Sequence, residues 1–316
     1  LALNAAVEAA RAGEAVSCAG LEPREPLSTG YAISDHNTVL GVDSSAPGVI
    51  TRATPITGLG DGEVMATIAM HPVTEQLYGI PGGSRTPVYT INRMTGAATR
   101  IGPGVPFGFP LNKANGLAYD ELNGYFRYVD ESFGNYRIDP TSGLQLRNDA
   151  GQEGLAEIAY SPLNGDVANF RFFGVNHLTD QFMRLDPERM TVLSTGGLGV
   201  DTDRYVGLDI ASDGTTYIAV RVNGVSKFGT ISTDDGHSFV EIGAIGNGTQ
   251  YAVRGLAVEP RRQAPVLNND LAPALGAIDE NNIANTGTRV RDLIDSVAPA
   301  SLITDPNPGA LRGIAI

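Results

Sequence analysis

Cysteine occurs once in this 316-residue chain, at Cys18. No disulfide can form within the chain, and this leaves the compartment open. Long apolar runs are missing as well. Nothing approaches the ~18 consecutive apolar residues of a membrane-spanning helix, so direct membrane insertion is not expected. Basic residues are outnumbered, with 22 Lys and Arg against 35 Asp and Glu and a formal net charge of −13. That balance argues against nucleic-acid binding, which depends on cations neutralising phosphates, and against docking on anionic lipid. No Gly-x-Ser-x-Gly elbow is present, and the one thiol stands in a stretch that reads as linker, so nucleophilic catalysis has no support. The histidines are His36, His71, His177 and His237. No two of them have the i, i+4 spacing of a zinc-binding helix, and they read as satisfied or solvent-facing. Glycine-rich strings such as residues 58–62 lack the lysine of a P-loop and read as turns. The opening residues hold no recognisable secretory signal, since Glu8, Arg11 and Glu14 interrupt any apolar core, and Cys18 lacks the apolar stretch that precedes a lipid-attachment site. Any export signal is expected to have been removed or to lie upstream.

What is present is a turn-dense composition, with 39 glycines, 19 prolines and 42% hydrophobic residues. The chain is organised around PVYTINRMTGAATRIG, residues 87–102. Val88 and Thr90 alternate with Tyr89 and Ile91 at the period of a β-strand. Asn92 then opens a turn that Gly96 closes, as Asx and Gly do in short hairpins. The plan recurs at NYRIDPTSG (135–143), FMRLDPERM (182–190) and FGTISTDDG (228–236), with an earlier copy in VLGVD (39–43). The turn-opening residues Asp43, Asn92, Asp139, Asp186 and Ser232 lie 49, 47, 47 and 46 residues apart. A fixed period of ~20–50 residues signals a solenoid, propeller or array.

A second landmark recurs in the same frame: TIAMHP (67–72), GLAYD (116–120), EIAYSP (157–162), GLDIAS (207–212) and GLAVEP (255–260). Each runs apolar, small, apolar, as a strand buried on both faces does. Taking Ile68, Leu117, Ile158, Leu208 and Leu256 as equivalent gives intervals of 49, 41, 50 and 48. One further strand fits between this inner strand and the hairpin, at 76–80, 125–129, 172–176 and 215–222. A repeat is therefore four antiparallel strands, the unit of a propeller blade. The first repeat has strands at 31–34, 38–43 and 49–56 but no inner strand before them, and the last inner strand, 254–260, has no hairpin after it. Both deficits vanish if 254–260 pairs with 31–34, a closure that also removes exposed sheet edges. The expected fold is all-β: a five-bladed β-propeller sealed by its two ends.

The repeated phrase, best preserved in Leu77-Tyr78-Gly79-Ile80 and in residues 89–102, resembles secreted bacterial propellers classed as a domain of unknown function. Residues 244–246 followed by 252–258 are similar to that family's usual ending. The resemblance covers about 31–260 and implies the propeller fold and export, with no assigned chemistry. Met190, where other copies have the turn glycine, departs from it.

The remaining segments have a different character. Residues 1–14, LALNAAVEAARAGE, read as a short helix and resemble the signalling-tip helix of chemotaxis receptors. The likeness stops at Ala15, so residues 1–28 are read as a helix and linker left by a fusion, and no chemotaxis role follows. The propeller occupies 29–260. Residues 261–316 resemble the start of cadherin-like or Ig-like repeats of bacterial surface proteins, but a full sandwich needs ~100 residues. An incomplete segment of this kind would pair with a protein partner or a neighbouring copy through residues 264–316 by strand addition.

Propellers bind ligands at the mouth of the central channel. The side chains placed there by sequence are Glu63, Asn115, Glu157, Arg204 and Arg254, a set suited to a sugar, a cation or an anion. No cofactor is expected, though Asp279, Asp305 and Asn307 carry oxygen donors that Ca²⁺ accepts, without EF-hand spacing. The reading is a non-enzymatic, secreted or cell-surface module for adhesion, display or assembly. The alternative is a carbohydrate-active enzyme or an ion- or ligand-binding propeller working at the channel mouth, with two carboxylates as acid and base in the enzymatic case.

Overall fold

The computed structural model describes residues 30–82, 86–105, 113–163, 167–234 and 237–259, together with the backbone of 266–267 and 303–304. Contacts divide the chain into two units, one of them Pro26–Arg261 and the other Leu1–Glu25 with Arg262–Ile316. In the second unit the described residues are β21 (Val266–Leu267), antiparallel to β22 (Ile303–Thr304). The expected helix at 1–14, Cys18, Asp279, Asp305, Asn307 and nearly all of 261–316 lie outside the described residues.

Among its described residues the regular structure of the first unit is strands, apart from one short 3₁₀ turn at Val167–Asn169. The chain starts with β1 (Gly30–Ser34), β2 (Thr38–Val42) and β3 (Ile50–Pro55). Four-stranded antiparallel sheets follow. The first comprises β4 (Val64–Met70), β5 (Leu77–Gly82), β6 (Thr86–Ile91) and β7 (Ala98–Val105). The next holds β8 (Asn115–Asp120), β9 (Tyr125–Asp130), β10 (Asn135–Ile138) and β11 (Gln145–Asn148). Then come β12 (Leu155–Tyr160), β13 (Phe172–Asn176), β14 (Gln181–Leu185) and β15 (Val192–Gly197). The last has β16 (Val206–Ile210), β17 (Thr216–Val222), β18 (Val225–Thr230) and β19 (Val240–Ala244). Finally β20 (Val253–Val258) returns to β1, so the first blade reads β20-β1-β2-β3. Gly30 pairs with Val258 and Ala32 with Leu256 across that seam. The inner strands touch in sequence, β4 on β8, β8 on β12, β12 on β16, β16 on β20 and β20 on β4, which closes the ring at five blades.

The repeated turn forms through its side chains. Asn92 Oδ1 accepts the N–H of Met94 and Thr95, Asp139 Oδ1 those of Thr141 and Ser142, and Asp186 Oδ1 those of Glu188 and Arg189. The Asx oxygen replaces the partners that turn N–H groups lose on leaving the sheet. Gly96 and Gly143 close two of these turns at φ +71° and +66°, and Met190 takes the same left-handed conformation at +55° despite its side chain.

Each gap between adjacent blades holds one hydrophobic cluster. Leu117 packs with Ala69 between the second and third blades, Ile158 with Ala118 in the next gap, and Leu208 with Ala159 after that. Ile68 meets Ala257 across the first gap. A large residue therefore faces a small one in the neighbouring inner strand, which lets the strands converge on the axis at interior packing density. Between the third and fourth blades the fully buried Arg127 adds a polar tie. Its Nε donates to Tyr160 Oη at 2.8 Å, Nη1 to Asn135 Oδ1 at 2.8 Å, and Nη2 to the Pro187 carbonyl at 2.8 Å.

Candidate functional site at the channel mouth

Counting two residues back from the large inner-strand residue of each blade gives Ala66, Asn115, Ala156, Val206 and Arg254. Four of these, Ala66, Asn115, Val206 and Arg254, line one pocket at the axis, together with Lys113, Ala114, Arg204 and Tyr205. Its empty volume, open mouth included, is about 230 Å³. Three cations from different blades converge here: Lys113 precedes β8, Arg204 precedes β16, and Arg254 lies on β20. Among the described residues lining the pocket none is a carboxylate.

Arg254, Lys113 and the Asn115 amide nitrogen are held by neighbours. Arg254 Nη2 donates to Tyr205 Oη at 3.2 Å, and the guanidinium lies 4.8 Å from the Tyr205 ring centre. Arg221 takes the same ring at 4.9 Å and pairs with Asp203. Lys113 Nζ pairs with Glu131 Oε1 at 2.9 Å, while Glu131 Oε2 accepts the Ala114 N–H and lies 3.1 Å from His177 Nε2. Burial acts to raise the Glu131 carboxyl. The Ala114 N–H, Lys113 and His177 outweigh it and hold the group below its usual range. Asn115 is 95% buried, and its Nδ2 donates to the Lys113 carbonyl at 3.2 Å, which fixes the orientation of the amide. Its Oδ1 has no hydrogen-bond partner.

One residue further along the inner strands the tier reads Thr67, Gly116, Glu157, Gly207 and Gly255. Backbones approach closely here: a Cβ on Gly255 would sit 2.9 Å from Ile68 N, and one on Gly207 2.8 Å from Gly255 C. Glu157 is fully buried. Its Oε1 accepts the N–H of Leu117 at 2.9 Å and of Ile158 at 3.2 Å, and Thr67 Oγ1 donates to Oε2 at 3.3 Å. Burial pushes this carboxyl well above its usual range, and Asp209 adds repulsion. The inner strand of a blade is an edge whose outward N–H groups have no sheet partner. Glu157 supplies acceptors for two of them.

Two residues deeper, in the tier of Ala69, Ala118, Ala159 and Ala257, the fourth sequential blade-leading strand, β16, carries Asp209 instead of alanine. Asp209 repeats the device, with Oδ2 accepting the Val258 N–H at 2.7 Å and Oδ1 that of Ile210 at 2.9 Å. Burial raises its carboxyl to about 7 against these N–H groups.

The residues expected at the mouth are thus distributed over three places. Asn115, Arg204 and Arg254 share the pocket. Glu157 lies inside the channel and not on its rim, because β12 already starts at Leu155, which places Glu157 within the strand, fully buried. Glu63 does not line the pocket. Its Oε2 accepts from Tyr89 Oη at 2.7 Å and from Gly60 N at 2.9 Å, bracing the turn before β4. Lys113, Tyr205 and Asp209 were not singled out by sequence. Asp209 stands in a column otherwise filled by alanine, which is a visible signal, whereas Lys113 and Tyr205 come from stretches with no repeated pattern.

A closed ring of five four-stranded sheets with a pocket on its axis defines a five-bladed β-propeller. Within that class the chain matches, over residues 38–257, the family described as a domain of unknown function, DUF4394, and it belongs to that family. No curated protein matches the sequence. Similar solved structures include a protein of unknown function from Bacteroides caccae, at 13% identity and TM-score 0.46 over 72% of this chain and 84% of that one. Hydrazine synthase of Kuenenia stuttgartiensis is similar at 14% identity and TM-score 0.37, over 65% and 53% of the respective chains. A chain of a nidogen/laminin complex is similar at 11% identity and TM-score 0.45, over 72% and 97%.

Proposed function

We propose that this propeller is a non-enzymatic binding module of a secreted or cell-surface protein, serving adhesion, display or assembly, and that it engages its ligand at the channel mouth. The observation carrying the reading is the convergence of Lys113, Arg204 and Arg254 on one axial pocket in a chain of net charge −13. The extracellular setting rests on the sequence resemblances of the repeats and of the segment after Pro260. Residues 264–316 are proposed to contact a partner or a second copy.

Against the enzymatic alternative stands the condition of the channel carboxylates. Glycoside hydrolysis needs an acid and a base flanking a bond, with separations of ~5–10 Å open to substrate. Glu157 is fully buried and engaged by two backbone N–H groups, so it has no access to a glycosidic oxygen. The test is a panel of immobilised glycans and peptides probed with the intact chain and with Arg204→Ala, a change at an exposed position. Binding of some panel member that falls at least about tenfold in Arg204→Ala, with the melting temperature unchanged, is expected. A panel in which nothing bound responds to Arg204 would remove the mouth as the binding surface. Hydrolysis abolished by Glu157→Gln would replace the module with an enzyme.

A further inference from the structure

Resting on that reading of the mouth, we propose that the group it takes is a carboxylate with a hydroxyl on the next carbon but one, as presented by the C6 carboxylate and C4 hydroxyl of a uronic acid at the end of an acidic saccharide. Charge comes first. Three cationic side chains line one pocket, with Lys113 already paired to Glu131, and an anion is drawn to the positive charge they place there. The cations are also oriented, since Tyr205 fixes the Arg254 guanidinium and Glu131 tethers the Lys113 ammonium. A guanidinium fork matches the two oxygens of a carboxylate.

The amide of Asn115 narrows the class. With Nδ2 committed to the Lys113 carbonyl, the atom left over is Oδ1, an acceptor, buried and without a partner. Such an acceptor is a standing penalty until a donor reaches it. A ligand hydroxyl beside the carboxylate meets that need. Acetate satisfies the cations but brings no donor to Asn115, whereas monohydrogen phosphate carries one P–OH, so phosphate is the competing ligand that titration separates. Size sets the last limit, because the enclosed part of the pocket has room only for the polar tip of such a ligand while the rest of a saccharide lies in the open mouth.

The experiment is calorimetric titration of the intact chain at low salt and pH 7 with glucuronate, glucose, acetate and inorganic phosphate. Glucuronate is expected to bind, glucose not to, acetate to bind at least about fivefold more weakly, the weight of one hydrogen bond to a buried acceptor, and phosphate to bind more weakly than glucuronate. In Arg204→Ala the glucuronate affinity is expected to drop about tenfold with an unchanged melt. Asn115→Ala is expected to level glucuronate with acetate. Should that variant not fold, the acetate comparison on the native chain decides the same point. Phosphate or acetate binding as tightly as glucuronate overturns the hydroxy-carboxylate assignment. Glucose binding that depends on Arg204 overturns the anionic class and leaves the mouth as the binding surface. Absence of glucuronate binding at tens of millimolar, roughly the weakest affinity of use, overturns the assignment, and the glycan and peptide panel then decides separately whether the mouth binds anything.

Discussion

Asp209 is the residue whose charge state most directly ties stability to pH. Its carboxyl rests at about 7 in the folded protein against 3.8 ordinarily. Between those values the folded chain holds a proton that the unfolded chain releases, so stability from this group falls as pH rises from about 4 to about 7 and stays lost above that. The shift corresponds to an upper figure on the order of 4 kcal/mol. Glu157, raised by burial, acts in the same direction. Opposing them, Asp43, Asp139 and Asp186 are held below their usual range chiefly by the Ser45 hydroxyl, the Ser142 N–H and the Arg189 N–H respectively, and their contribution disappears as pH falls below about 4. Urea denaturation of the intact chain is therefore expected to show greatest stability on the acid side of neutrality. Asp209→Asn should flatten the decline between pH 5 and 8, and an unaltered profile in that variant would mean the group does not titrate there. Gly116 offers a second residue-level prediction. A Cβ at this position would lie 2.5 Å from Glu157 Oε1 and 2.7 Å from Glu157 Cα. Because backbone blocks the space, Gly116→Ala is expected to cost about 1–3 kcal/mol, read as a lowered melting temperature, and Glu157→Gln should not rescue it.

Among elements, the hairpins and inner strands are legible from sequence because each is specified locally and recurs. In the second, third and fourth blades an Asx residue opens the turn and a left-handed residue closes it, and an apolar-small-apolar run marks the buried strand. Met190 shows the limit of that legibility. The sequence marks it as a departure from glycine, yet the backbone still turns left-handed, since the side chain is buried between the third and fourth blades and the packing holds it there. Arg127 lies beyond any sequence pattern for the opposite reason: its partners Tyr160 and Pro187 lie 33 and 60 residues away, and no spacing rule links them. The candidate site divides in the same way. Arg254 and Asn115 follow from the repeat register, while Lys113 and Tyr205 depend on how irregular loops settle. The seam between β1 and β20 carries the element-scale prediction. A chain ending at Tyr251 lacks β20 and leaves β1 as an unpaired inner edge, so it is expected to lose its single cooperative melt and to associate through that edge. Size-exclusion chromatography showing a monomer with an unchanged melt would count against the closure.

At the scale of the whole molecule, the pairing of Gly30 with Val258 has a topological outcome. The polypeptide comes in and goes out of the wheel side by side, on neighbouring strands running in opposite directions. A host loop that receives residues 30–258 would need to open by little more than the ~5 Å between adjacent strands. The wheel is thus suited to being threaded into another protein as an insert, or strung as one bead among many, without disturbing whatever precedes or follows it.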